Sequence, residues 1–172
     1  MSDDLVLNHI LNPSAPLGDI IDPQSVENDP LPQTEVEKKA KAIEHKAVIA
    51  AEENKLDDAL GMFNAAIELA PKMASLYNNR AQLLRLMGDN ERALQDIDKA
   101  IDLSNSVGRT AAQAYTQRAL LHMLAKDEDE ARQDFEKAGQ LGGKFAACQA
   151  AKLNPYSKLC NQMLDQAMNS LL

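Results

Sequence analysis

Aromatic residues are scarce in this sequence. Its 172 residues include three Phe, three Tyr and no Trp, although 45 % of them are hydrophobic. A folded core must therefore rest on Ala, Leu, Ile and Met. Sequence rich in Ala and Leu, with few runs of β-branched residues, favours helices over strands. The length is sufficient for one domain with a substantial core.

Residue types that carry chemistry are also few and scattered. The two cysteines and three histidines are Cys148, Cys160, His9, His45 and His122. A structural zinc site needs four suitably spaced ligands, and no such spacing occurs, so we expect two reduced thiols on helices. No strand precedes the glycines at 142 and 143, and the acidic run at 127–130 lacks the glycine and alternating ligands of a calcium loop. We predict no catalytic residues, no cofactor, no metal and no enzymatic activity.

A basic surface and a long apolar stretch are missing as well. The formal net charge of −8 argues against non-specific binding to nucleic acid or to an anionic membrane, because both need a basic face. The sequence shows neither a basic leader nor a stretch long enough to cross a bilayer. We therefore expect a cytoplasmic, monomeric protein whose partners are other proteins, with the nucleus left open.

Proline divides the chain into two regions. Five of the seven prolines lie in residues 1–33, which also carry six acidic side chains. Each proline removes a backbone donor and clashes with the preceding turn, which excludes long helices there. We interpret residues 1–33 as a proline-rich acidic arm, partly disordered, with room for one short helix near its start. The alternative is an arm that docks its apolar side chains on the domain or on a partner. Those side chains are Leu5, Leu7, Ile10, Leu11, Ile20 and Ile21.

From residue 34 onward the pattern is helical, and the helix breakers predict eight helices. We place them at about 35–53, 56–70, 74–87, 90–103, 109–125, 128–140, 144–152 and 155–170. The last helix has the strongest start signal, with Asn154 as its N-cap and Pro155 at its first position.

The helices form pairs that repeat. Ala59, Phe63 and Ala66 recur 34 residues later as Ala93, Ile97 and Ala100, and 38 residues after that as Ala131, Phe135 and Ala138. A period of 34 is typical of the tetratricopeptide repeat, and one helix pair cannot bury its apolar face alone. The four extra residues before the third pair predict a longer loop or one extra helical turn. We predict an all-α, tetratricopeptide-type α-solenoid in residues 34–172. Its three helix pairs span about 40–73, 74–107 and 112–145, with C-terminal capping helices over 144–170.

The chain resembles the tetratricopeptide repeat superfamily over about residues 40–140. Residues 77–82, together with flanking segments 12–20 and 153–164, give a closer resemblance to the tetratricopeptide repeat protein 36 family. This resemblance implies a protein-binding adaptor or co-chaperone-like scaffold. It also implies binding to a heat-shock chaperone and a role in tyrosine catabolism through protection of a catabolic enzyme. The alternative is a structural subunit of a larger assembly, its groove filled by its own N-terminal arm.

In this superfamily the first helix of each pair lines a concave groove. Carried onto this sequence, the groove residues are Asn78, Asn79, Gln82, Arg85, Gln113, Thr116, Gln117, Leu120 and Met123, with Lys41, Glu44, Val48 and Ala51 from the first pair. Such a neutral groove, lined by amides and apolar at one end, suits an extended peptide whose backbone needs donors and acceptors. Alternatively, some of these residues pack under the C-terminal helix.

Many chaperone-binding members of the superfamily grip an acidic C-terminal peptide with a two-carboxylate clamp. The positions that would form it hold Glu44, Val48, Asn79, Gln113 and Gln117 here. Only Asn79 matches the clamp pattern. The cations are missing, and Glu44 would repel a carboxylate. We therefore expect any heat-shock chaperone to bind without this clamp.

Overall fold

The computed structural model describes residue 29 and residues 31–169. This part of the chain contains eight α-helices and no strand. They are α1 (Glu35–Glu52), α2 (Leu56–Leu69), α3 (Ala74–Leu86), α4 (Asn90–Leu103), α5 (Gly108–Leu124), α6 (Glu128–Gln140), α7 (Lys144–Leu153) and α8 (Pro155–Asn169). Every helix begins and ends within one residue of its predicted bound. The short helix and the apolar docking residues expected in the arm lie outside the described residues.

Side-chain caps fix where several helices begin. Thr34 forms a capping box with Glu37: the Glu37 N–H donates to Thr34 Oγ1 over 3.1 Å, and the Thr34 N–H donates to Glu37 Oε2 over 3.0 Å. Backbone hydrogen bonds from Thr34 and Gln33 hold the pKa of the Glu37 carboxyl below its usual value. At α8 the Tyr156 N–H donates to Asn154 Oδ1 over 2.9 Å, which confirms the predicted N-cap.

The four residues inserted before the third pair are absorbed partly as an extra turn of helix. α3 begins at Ala74, whereas α5 begins at Gly108, four residues before Ala112, the position equivalent to Ala74. In the loop that precedes α5, Asn105 and Ser106 adopt positive φ. The insertion therefore lengthens one groove-lining helix without changing the phase of the repeat.

Consecutive helices pack as pairs, α1 with α2, α3 with α4 and α5 with α6. The pairs stack because α2 contacts α3 and α4 contacts α5. Among the first helices, α3 contacts both α1 and α5. Fully buried alanines allow close helix crossings, and larger buried side chains fill the space between pairs. The alanines are Ala47, Ala59, Ala81, Ala93, Ala119 and Ala131, and the larger residues include Phe63, Leu84, Ile97 and Phe135. This is the predicted all-α solenoid.

α7 covers the end of the third pair. Phe145 packs edge-to-face on Phe135, with ring centroids 6.1 Å apart. Gly139 lets α6 approach α7 closely, because a Cβ at this position would lie 3.0 Å from the Cα of Ala147. α8 follows from α7 and packs against it. Its apolar residues Leu159, Met163 and Leu164 remain more than half exposed.

Candidate protein-binding groove

The concave face of the array is lined by α1, α3 and α5. Residues three or four positions apart on a helix share one face, so Asn78, Gln82 and Arg85 of α3 stand in one row. Gln113, Gln117 and Leu120 form the corresponding row on α5. The structure therefore brings the predicted groove residues of the second and third pairs side by side.

At the α1 edge of the groove, a charged pair joins the first two helix pairs. Lys41 Nζ lies 2.6 Å from Glu44 Oε2, and Asn79 Nδ2 donates to Glu44 Oε1 over 2.8 Å. Glu44 is only 2 % exposed, so its carboxylate depends on these two neighbours for compensation. The Asn79 amide, which alone fits the clamp pattern, is thus engaged with a carboxylate of its own chain.

Amides continue the network from α3 to α5. Gln117 Nε2 donates to Asn78 Oδ1 over 2.9 Å and to the Asn78 carbonyl over 3.2 Å, and Asn78 Nδ2 donates to Gln113 Oε1 over 3.3 Å. Arg85 Nη1 lies 3.5 Å from Gln117 Oε1. We call these side chains, from Lys41 to Gln117, the groove network. It fixes the spacing of the three helices that line the groove.

Burial separates the nine predicted groove residues into a floor and an accessible set. Asn78, Arg85, Thr116, Gln117 and Leu120 are buried. Asn79, Gln82, Gln113 and Met123 are partly exposed. The accessible set can meet a ligand directly, whereas the buried residues hold the helices together. Their role in peptide binding stays a prediction.

The buried cation of the groove is Arg85. Burial lowers the pKa of its guanidinium to about 10, because the charged form loses hydration. Arg85 therefore stays charged at neutral pH and contributes a positive potential to a groove in which Glu44 supplies the buried negative charge.

A second polar network, which the sequence reasoning did not assign, joins each helix pair to the pair before it. Arg80 donates from Nε and Nη2 to Asp96, each over 2.7 Å, and from Nη1 to Asn64 Oδ1 over 2.7 Å. Its guanidinium lies 5.7 Å from the centre of the Tyr77 ring. The hydrogen bond to Asp96 is the main cause that raises the pKa of Arg80 above its usual value.

The same arrangement recurs one repeat later. Arg118 donates to both oxygens of Asp134 over 2.7 and 2.8 Å, to Asp98 over 2.6 Å, and stacks 5.5 Å from the Tyr115 ring centre. We call the two arginine clusters the outer network. Its signal in the sequence is the recurrence of both Arg and Asp at the 38-residue offset. The first pair has Lys46 and Met62 at these positions, and among the residues that the structure describes it shows no such cluster.

Outside these two networks, Asp29 of the arm contacts the first turn of α5. The Asp29 carboxylate accepts from the Thr110 N–H, with both oxygens 3.1 Å away, and from the Thr110 hydroxyl. Asp29 lies 81 residues from Thr110 in sequence, so no local pattern could have revealed this contact.

Neither a metal centre nor a membrane span is found in the part of the chain that the structure describes. No cluster of three or more His, Cys, Asp or Glu residues there could hold an ion. None of the described helices is both long and apolar enough to cross a bilayer.

Comparison with known proteins fits this geometry. Models of the tetratricopeptide repeat match residues 62–95 and 112–140. A tetratricopeptide repeat protein 36 homolog of Nematostella vectensis is 51 % identical over 175 residues, 99 % of this chain and 96 % of the relative. Tetratricopeptide repeat protein 36 of Homo sapiens is 44 % identical over 179 residues, 99 % and 94 % of the two chains. The chain belongs to the tetratricopeptide repeat protein 36 family. Because the matches span nearly whole chains, membership in this family includes the arm and the C-terminal helices as well as the repeats.

Solved tetratricopeptide domains share the fold. The second such domain of human RPAP3, in complex with the HSP70 peptide SGPTIEEVD, is 25 % identical with a TM-score of 0.58, and the match covers 69 % of this chain and 97 % of that domain. The first such domain of Spaghetti (RPAP3), bound to the HSP90 peptide SRMEEVD, has a TM-score of 0.60 at 22 % identity, covering 68 % and 91 %. The fold of this family member is thus one on which other proteins bind peptides.

Proposed function

We propose that this protein is a non-catalytic adaptor that holds an extended segment of a partner protein in its concave groove. The observation that carries the proposal is the accessible set of Asn79, Gln82, Gln113 and Met123 above a hydrogen-bonded floor. Amides offer donors and acceptors to a peptide backbone, and Met123 offers an adaptable apolar contact. The rigid floor limits the ordering cost of binding, because the helices are already fixed.

The partner class that the family resemblance favours is a heat-shock chaperone. Two structural neighbours hold chaperone peptides that end in EEVD. In this chain Glu44 stands buried in the groove and already engages Asn79, so the site disfavours an added carboxylate at that edge. We propose that this protein recognises an internal segment of the chaperone and not its C-terminal carboxylate. It would then be a cytoplasmic co-chaperone whose binding mode differs from the two-carboxylate clamp.

A direct binding titration tests this mode. Full-length HSP70 chaperone and a form that lacks its last four residues should bind the full chain with equal affinity. Gln82→Ala should weaken binding by roughly fivefold or more, as expected when about 1 kcal/mol of hydrogen bonding is lost. The matched control is Gln95→Ala, which removes an exposed glutamine from α4, outside the groove. Loss of binding on truncation of the chaperone would instead establish terminal recognition.

The family resemblance also links this adaptor to tyrosine breakdown, through protection of a catabolic enzyme. The groove supports this link only in that it could bind such an enzyme as it could bind other proteins. The test is co-purification from liver-type cytosol with the wild-type chain and with a Gln82→Ala, Gln113→Ala double variant, followed by identification of the bound proteins. An enzyme of tyrosine breakdown should be captured by the wild type and lost with the double variant. Equal capture by both chains would place enzyme binding outside the groove.

A further inference from the structure

The N-terminal end of α5 takes its cap from a residue that is distant in sequence. Val107, the N-cap residue of α5, makes no side-chain hydrogen bond to the helix. The Asp29 carboxylate accepts from the N–H of Thr110, the third residue of the helix. An N-cap side chain ordinarily satisfies this N–H, and a carboxylate also suits the positive end of the helix dipole. Asp29 therefore replaces the missing N-cap side chain of α5.

The turn of α5 that receives Asp29 is the one that the third pair has in addition to the second. Thr110 lies two residues before Ala112, within the extra turn of α5. The equivalent position in the second pair is Lys72, which lies outside the helix because α3 begins only at Ala74. The insertion in the third pair thus creates the helix start that Asp29 caps.

The chain that follows Asp29 is anchored again at the start of α1. Thr34 and Glu37 form the capping box of that helix, and the Gln33 N–H donates to Glu37 Oε2 over 2.8 Å. We call Asp29 together with residues 31–34 the clasp. One end of the clasp is hydrogen bonded to the first turn of α5, and the other end is hydrogen bonded to the first turn of α1.

Between its two anchors the clasp borders a cavity of about 430 Å³. Leu31 and Pro32 line this cavity on one side, and Met73 and Val107, which precede α3 and α5, line it on the other. Leu31 is 83 % exposed, so its burial contributes little to holding the clasp in place. The position of the clasp therefore depends on the hydrogen bonds at its ends, and loss of the Asp29 anchor should release it.

The two anchors belong to helix pairs that are not neighbours in the array. α1 belongs to the first pair and α5 to the third, and α3 of the second pair contacts both. In an array of stacked repeats, stability is approximately a sum of the stability of each repeat and of its interface with the next. The contact between Asp29 and Thr110 adds a connection that bypasses the second pair.

We propose that the clasp couples the first helix pair to the third, so that the start of α1 loosens when hydrogen bonding at Thr110 is lost. The array then behaves as a closed unit at this end and not as a simple row of neighbours. Because α1 and α5 both line the groove, the same contact restrains the separation of these two helices. The coupling is a property of the free protein and stands independently of the partner that the adaptor holds.

Hydrogen–deuterium exchange of the full chain, measured by mass spectrometry, tests the coupling without any partner. The reporters are the hydrogen-bonded N–H groups of Gln33, Thr34 and Glu37 at the start of α1, whose exchange measures local opening. Thr110→Val removes the hydroxyl that donates to Asp29 but keeps the β-branched shape of the side chain. It should speed exchange of the reporters by about threefold. Asp29→Ala, which removes every acceptor of this anchor, should speed it by about tenfold.

The matched control for Thr110→Val is Thr116→Val. Thr116 is a buried threonine of the same helix, but its hydroxyl donates to the Ala112 carbonyl within α5 over 2.8 Å. This variant should leave exchange of the reporters at the start of α1 unchanged. Equal acceleration by Thr110→Val and Thr116→Val would mean general loosening of the array and would overturn the coupling.

A double variant shows whether Thr110 acts on α1 through Asp29. When Asp29→Ala is already present, Thr110→Val should speed exchange of the reporters by less than about 1.5-fold more, because the hydroxyl has lost its acceptor. Independent effects, which would multiply to about thirtyfold, would show that Thr110 stabilises α1 by another route and would contradict the clasp. Exchange at the start of α1 that is the same in Asp29→Ala and in the wild type would overturn the proposal altogether.

Discussion

The outer network and the groove network join the same helix pairs with different chemistry. In the outer network each arginine forms a bidentate pair with an aspartate of its own helix pair and one hydrogen bond to the preceding pair, at Asn64 or Asp98. The bidentate partners Asp96 and Asp134 keep 10 % or less of their side-chain surface. In the groove network most of the hydrogen bonds involve the neutral amide side chains of Asn and Gln. A bidentate ion pair is strong and directional, whereas an amide can exchange one partner for another at little cost. The bidentate ion pairs thus hold the two helices of the second and third pairs together, whereas amide hydrogen bonds make most of the links across the groove floor.

Breaking the outer network should have the largest effect on stability. Asp134→Ala removes a carboxylate that is 5 % exposed in its side chain and leaves Arg118 with one of its two acidic partners. We expect a loss of about 3 kcal/mol in the free energy of unfolding, as for other partly buried pairs broken on one side. Urea denaturation followed by circular dichroism measures it.

The control lies on the other side of the same guanidinium. Asp98 is 52 % exposed in its side chain, so Asp98→Ala should cost at most about 1 kcal/mol. Equal losses in the free energy of unfolding for Asp134→Ala and Asp98→Ala would mean that burial of the carboxylate does not set the strength of its pairing with Arg118.

The sequence predicted the helices and their repeat better than it predicted the contacts between helices. Helix bounds follow from breakers such as Asn54 and Gly88, which adopt positive φ, and from the cap at Asn154. These are local properties, readable over a few residues. The 34- and 38-residue offsets likewise revealed which alanines face other helices.

Contacts between residues that are distant in sequence were harder to predict. The recurrence of Arg80 as Arg118 was visible, but only the structure shows that each reaches back to the preceding pair, at Asn64 or Asp98. The position of a residue in the repeat indicates which side of the helix it faces. It does not show that the Gln117 side chain donates its hydrogen bonds to Asn78. The apolar period of α8 shows which residues share a face but not whether anything covers that face.

Breaking the groove network should cost less than breaking the outer network. Gln117→Met keeps the volume but removes both hydrogen bonds to Asn78, which leaves the buried Asn78 Oδ1 without this donor, whereas the Asn78 carbonyl keeps its bond within the helix. We expect a loss of about 2 kcal/mol, the usual penalty for an unsatisfied buried polar group. Thermal unfolding compared with Gln82→Met provides the check, because Gln82 is partly exposed and its replacement should change stability by less than about 0.5 kcal/mol.

The end of the array depends on packing more than on either polar network. Gly139→Ala would place a Cβ 3.0 Å from the Ala147 Cα and push α7 away from α6. We expect a net loss of about 1 to 2 kcal/mol, since the overpacking penalty exceeds the gain in helix propensity. Gly61→Ala, where an added Cβ meets nothing within 4 Å, should instead stabilise the protein by up to about 1 kcal/mol. Stabilisation by both variants in urea denaturation would mean that α7 adjusts freely.

The smallest expected effect is a pH-dependent one at the start of α1. The pKa of Glu37 is lowered from 4.5 by backbone hydrogen bonds from Thr34 and Gln33, so its charged form stabilises the folded state. This contribution is complete above pH 4.5 and is lost as the pH falls through the lowered value. Glu37→Gln should therefore melt below the wild type at neutral pH, and the gap should close in acid. Glu52→Gln, at the C-terminal end of the same helix, should raise the melting temperature slightly, because a carboxylate there opposes the helix dipole. Equal shifts for the two variants would show that net charge, and not the capping box, governs the effect.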